Sequence, residues 1–167
     1  MLSFFRLMIP VAGLQRSPAA IPHSASLCVL ALAWIGLLSA IYASIMSYNG
    51  VNYALGLAAS IAFSMVVIYA ILRVTKKPDR YLQTITASFG AGAVLLLVQI
   101  ALAFLLVAGI SPRVAAWLFL LILAWSLLID GFILSKSLEI DMMPASVMAL
   151  VIMVMQMAVL QALPELR

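Results

Sequence analysis

The chain has 167 residues, of which 67% are hydrophobic and 8% charged, whereas an ordinary soluble domain is about a quarter charged and about half apolar. Nine Lys or Arg and five Asp or Glu cannot cover the core of a water-soluble globule of this length, so lipid must cover much of it. The same figures exclude a disordered chain, and a lone cysteine, Cys28, excludes a disulfide scaffold.

In chain order, Met1 to Leu14 opens with Leu2, Phe4, Phe5, Leu7 and Met8, interrupted by Arg6 and ended by Pro10. This stretch is too short to span a bilayer and lacks the basic-then-apolar order of a signal peptide, so it is expected to form an interfacial helix. A weaker alternative is a signal cleaved at the first span, with Arg16 as its basic region and Ala40 to Ser44 supplying small residues. A helix crossing about 30 Å of hydrocarbon needs roughly 20 apolar residues, and five segments meet that requirement. The first runs from about Leu27 to Met46, after Pro18 and Pro22 and before the Ser47-Tyr48-Asn49-Gly50 turn. The second runs from about Tyr53 to Leu72 and stops where Arg73, Lys76, Lys77, Pro78 and Arg80 make burial in lipid costly.

The third span begins near Tyr81 and continues to about Ala108, long enough that it must tilt or leave its first turns in the interface. Gly109 is placed as its stop and Pro112 as a first-turn residue of the fourth span, from about Val114 to Leu134. Lys136, Glu139 and Asp141 mark the exit, Pro144 opens the fifth helix, and Pro164 ends it after about Leu163. Continuous apolar runs favour helices over the alternating strands of a barrel. The expected fold is an all-α membrane bundle of five transmembrane helices, with residues 1–26 as a cytoplasmic or interfacial segment, 27–163 as the transmembrane domain and 164–167 as a short tail.

Lys and Arg near the span ends set the orientation. With the N-terminus inside, Arg6, Arg16, Arg73, Lys76, Lys77, Arg80 and Lys136 are inner, and only Arg113 and Arg167 are outer. Seven against two predicts a cytoplasmic N-terminus and an outer C-terminus. The net charge of +4 therefore reads as topology and lipid-headgroup contact, and no nucleic-acid partner is expected.

Asp130, near the inner end of the fourth span, is the only ionisable group expected inside the membrane. It reads either as a proton- or cation-binding carboxylate or as an acid that reaches headgroup-level water or a neighbouring helix; the second is preferred, because a carboxylate near a span end costs less than one at the midplane. Gln99 and Gln156 lie deeper, where an amide lines a substrate path or, more often, bonds across a helix interface. Thr84, Ser88 and Gly92 recur every four residues and Gly90 lies between them. These small groups suit close helix packing and place the third span at the centre of the bundle. They lack the preceding strand and the lysine of a phosphate-binding loop.

Met142, Met143, Met148, Met153, Met155 and Met157 crowd the fifth span without forming one face, and no cysteine or histidine joins them. Adaptable packing is preferred to soft-metal transport. His23 stands alone ahead of the first span, so no metal site and no cofactor is expected. The chain has no His-Glu-x-x-His helix, Gly-x-Ser-x-Gly nucleophile or paired intramembrane aspartates, so an enzyme is not expected unless a partner chain supplies reactive groups.

Phe4-Phe5-Arg6-Leu7, then Ser17-Pro18-Ala19-Ala20-Ile21-Pro22, then Arg80-Tyr81-Leu82-Gln83-Thr84-Ile85-Thr86-Ala87 with Gly90 and Gly92, then Trp125-Ser126-Leu127, together give a chain that resembles small bacterial inner-membrane proteins of the Yip-domain type. The resemblance implies five helices over nearly the whole chain. The eukaryotic relatives it implies are five-span vesicle-trafficking proteins that engage small GTPases through a longer N-terminal region than residues 1–26 provide here. It assigns no functional residue. The first expectation is a non-enzymatic scaffold or accessory subunit of the bacterial inner membrane, acting by helix packing on a membrane-protein partner or a second copy. The alternative is a small transporter or channel component with Asp130 in a polar path.

Overall fold

The computed structural model describes residues 2–15 and 17–162. Arg16, counted among the inner basic residues, and Pro164, Arg167 and the tail lie outside them. The described residues form α1 (Leu2–Ala12), a 3-10 turn (Pro18–Ala20), α2 (Ala25–Ile45), α3 (Gly50–Val74), a second 3-10 turn (Pro78–Arg80), α4 (Tyr81–Val107), α5 (Pro112–Leu138) and α6 (Met142–Ala162). Helices α2 to α6 are each long and apolar enough to cross a membrane. The chain is an all-α, multi-pass membrane bundle, because each helix satisfies its own peptide groups and only such segments persist in lipid.

Local chemistry sets the helix ends close to where the sequence placed them. The Asn49 side chain accepts the Val51 and Asn52 amides at 3.1 and 3.4 Å and so caps α3. Gly109 follows α4 with φ +97°, a left-handed conformation that glycine adopts without strain. Pro112 is the first residue of α5, where its missing N–H costs nothing.

Helix α4 is the hub, packing on α1, α2, α3 and α5, while α6 closes the bundle against α5 and α3. One third of its spanning window is buried, against 11% for α3 and for α6. A stretch of small and β-branched residues makes this possible: Thr84, Ile85, Thr86, Ala87, Gly90, Ala91 and Ala93 are all buried. Lipid gives helices no hydrophobic reason to associate, so close backbone approach and interhelical hydrogen bonds hold the centre.

The N-terminal head differs from the expected interfacial helix. Phe4, Met8, Val11 and Ala12 of α1 are buried in the same core as α4 and α5. Met8 lies over Gly90, where any added Cβ would meet its sulfur, and Trp125 Nε1 donates to the Ala12 carbonyl at 3.1 Å. Trp125 is the central residue of α5, so α1 ends beside the middle of the bundle. The chain then doubles back, since the Gln83 side-chain amide, at the start of α4, donates to the Ile21 carbonyl at 2.9 Å and His23 Nε2 donates to the Asp79 carbonyl at 3.1 Å. The apolar stretch went inside because Gly90 leaves a hollow that a flexible methionine fills.

The two ends of the bundle differ in chemistry. At one end Tyr48 stacks on Tyr53 with centroids 5.7 Å apart and meets Tyr42 at 6.2 Å, an aromatic cluster suited to a headgroup boundary. The other end is basic. There Lys77 Nζ donates to the Leu138 carbonyl at 2.8 Å and to Glu139 Oε2 at 2.6 Å. Arg80 donates to the carbonyls of Lys136 and Ser137 at 3.2 Å each and pairs with Glu139. Helix α5 thus ends on two cations from the α3–α4 connection, which satisfy carbonyls that have no partner within the helix.

Candidate functional site

A cavity of about 300 Å³ lies among the five spanning helices, lined by α2 (Ile35), α3 (Ser64, Ile68), α4 (Ser88, Phe89, Gly92, Leu95), α5 (including Ser126 and Asp130) and α6 (including Gln156). Its size falls at the lower end of the range of small-ligand sites, about 300 to 1,000 Å³. Eleven of its 17 lining residues are apolar, and the polar ones are Ser64, Ser88, Ser126, Asp130 and Gln156. The structure therefore brings together two of the three polar intramembrane residues that the sequence singles out.

Ser126 and Asp130 are four residues apart on α5 and share a face, while Ser64 and Gln156 arrive from α3 and α6. Asp130 is eight residues from the end of α5, about 12 Å along the helix at roughly 1.5 Å per residue. Among the described residues, Asp130, Ser64, Ser88 and Gln156 have no hydrogen-bond or ion-pair partner; Ser126 donates to the Leu123 carbonyl at 3.0 Å. Asp130 is exposed and lines the cavity, and among the described residues no Lys, Arg or His lines it. A carboxylate among apolar walls favours whatever cancels its charge and donates to its oxygens.

Gln99 lies elsewhere. With Ala116, Phe119 and Leu120 it lines an open groove of about 490 Å³ between α4 and α5. Groove and cavity share Leu123 and Ser126, so polar groups run from Gln99 past Ser126 to Asp130. Gln99 has no protein partner among the described residues. Neither it nor Gln156 makes the interhelical bond that an intramembrane amide usually makes.

The small-residue face of α4 divides its work. Thr84 is buried, donates to the Arg80 carbonyl at 2.8 Å and meets the Ser137 hydroxyl at 2.8 Å, which ties α4 to α5. Gly90 admits Met8. Ser88 and Gly92 face the cavity instead of a tight helix contact, and a Cβ at Gly92 would meet only Ile35 Cδ1, at 3.4 Å.

Sequence reading missed Ser64, Ser126 as a lining group, and Gly131. The signal for Ser126 was its four-residue spacing from Asp130; Ser64 stood alone in an apolar run, and nothing local marked it. Gly131 lets α6 approach α5, since a Cβ there would lie 2.9 Å from Ser146 Cα. Among the described residues no three His, Cys, Asp or Glu gather as a metal site. Comparison with protein-family models, with curated proteins and with solved structures found no match to this chain.

Proposed function

We propose that this chain is a small transporter or channel component of the bacterial inner membrane, binding its ligand on Asp130, with the N-terminus cytoplasmic and the C-terminus outside. One observation carries the reading: a carboxylate without a partner among the described residues lines a cavity between the spanning helices beside three serines and a glutamine. Intramembrane ionisable groups are costly, and those that face an internal cavity characteristically mark ion or substrate paths. The groove at Gln99 extends that path toward the Tyr48 end. The basic end formed by Arg73, Lys76, Lys77, Arg80 and Lys136 supports the orientation.

A non-enzymatic accessory subunit acting by helix packing is the second reading, and it is the one that keeps the Yip-domain resemblance. It is favoured by the open surfaces of α3 and α6, each only 11% buried, which offer faces to a membrane partner or a second copy.

Asp130→Asn at native abundance separates the two. The transporter reading expects cells carrying it to behave as cells lacking the protein, while the purified variant keeps its thermal midpoint. Wild-type behaviour, combined with loss of function in a packing variant such as Gly90→Leu, would instead favour the accessory reading.

A further inference from the structure

We infer that the cavity takes a small hydrophobic amine, with its ammonium on Asp130 and its apolar body against Phe89, Leu127 and Ile152. The inference rests on the reading of the Asp130 cavity as a ligand site and specifies its ligand.

Charge comes first. Among the described residues the lining holds one carboxylate and no fixed cation, and Lys136, six residues further along α5, is directed to the Phe132 ring at 5.6 Å. The counter-charge must therefore arrive with the ligand, and one positive charge balances the site. An anionic or zwitterionic ligand would leave its own carboxylate beside Asp130.

Donor geometry comes second. An ammonium carries up to three N–H donors, and the cavity supplies acceptors of the matching kind: two carboxylate oxygens, the serine hydroxyls and the Gln156 carbonyl. A bare divalent ion needs six or more oxygens at close range. The oxygens here are dispersed over four helices, α3 to α6, and are outnumbered by apolar side chains.

The walls come third. Eleven apolar residues have no use for a proton or a hydrated ion, yet they suit an alkyl or aryl body, whose burial away from water is favourable. The Phe89 ring in the lining is a further partner for an ammonium.

The test uses the full chain in lipid nanodiscs and reads, by mass spectrometry, the labelling of Asp130 by dicyclohexylcarbodiimide, a membrane-soluble carboxyl reagent. Three probes are compared: 3-phenylpropylamine, its uncharged analogue 3-phenylpropanol, and ammonium chloride. The amine is expected to slow labelling about tenfold at a concentration where the alcohol and ammonium change it less than about twofold, the difference that one charge-assisted contact supplies. Phe89→Ala should weaken the protection, read as the ratio of protected to unprotected labelling within that variant. Equal protection by the alcohol or by ammonium, or labelling that no probe slows, would overturn the amine and leave the cavity reading standing. Failure of Asp130 to label while Asp79 and Asp141 react with a water-soluble carbodiimide would sink both.

Discussion

Two glycines illustrate how differently one missing methyl group acts in this bundle. At Gly131 an added Cβ would lie 2.9 Å from Ser146 Cα and closer still to its hydroxyl, and a backbone atom yields only if α6 moves. Gly131→Ala is therefore expected to cost about 1–3 kcal/mol, the usual range for overpacking, and Ser146→Ala should not restore it. At Gly90 the obstacle is the Met8 side chain, whose Sδ, Cγ and Cε surround the position. Gly90→Ala should destabilise as well, but Met8→Ala should abolish that added cost, so that the double variant is about as stable as Met8→Ala alone. A double-mutant cycle on thermal unfolding in detergent measures both couplings. Absence of rescue at Gly90 would show that α1 does not pack as described. Gly90 and Asp130 were legible as special residues because small and charged groups stand out in an apolar run. The residues set against them by the fold were not, since Met8 and Ser64 are ordinary members of their own segments and gain meaning only from the rotation of another helix.

At the level of the element, the end of α5 is held by charges that the sequence offered only as markers of topology. Glu139 adopts φ 55°, a left-handed conformation that costs a non-glycine residue roughly 1–2 kcal/mol. Its carboxylate accepts from Lys77 and Arg80, and these two hold its pKa below the ordinary value of 4.5. A carboxylate depressed in the folded state stabilises it fully above the ordinary value and loses that contribution as pH falls from 4.5 through the lowered one. Acid is thus expected to lower the thermal midpoint of the wild type over that window, and Glu139→Gln to lose this part of the acid sensitivity while being less stable at neutral pH. Identical acid profiles would mean the pair is too well solvated to matter, as many exposed ion pairs are. The five spanning helices were readable to within a few residues because twenty apolar residues in lipid admit little besides a helix. The burial of α1 was not, because a short apolar stretch fits an interface or a hollow equally well, and the hollow at Gly90 lies in a distant segment.

For the whole molecule, five crossings require the two ends of the chain on opposite sides. Reporter fusions after Arg167 and within Thr75 to Asp79 are expected to report outside and inside respectively, and both on one side would refute the orientation. Removing residues 1–14 strips the core of Phe4, Met8 and Val11. It should lower stability by at least about 2 kcal/mol, the lower end for truncating a buried methionine alone; an unchanged midpoint would mean that α2 to α6 stand without it. The division of the chain into a head and a bundle was plain in the sequence, but that the head shares the bundle's core was not. Interior contacts are set by how helices rotate against one another, which apolar periodicity leaves open when every face is apolar.

The contact between Trp125 and Ala12, 113 residues apart, also sets an order of events during synthesis. When α1 leaves the ribosome, neither Gly90 nor Trp125 has been made, so α1 cannot take its place until α4 and α5 follow. Until α4 is inserted, Met8 lacks the Gly90 surface on which it packs in the finished bundle. Helix α1 must stay out of its native place until then, and its docking joins an early segment of the chain to a much later one.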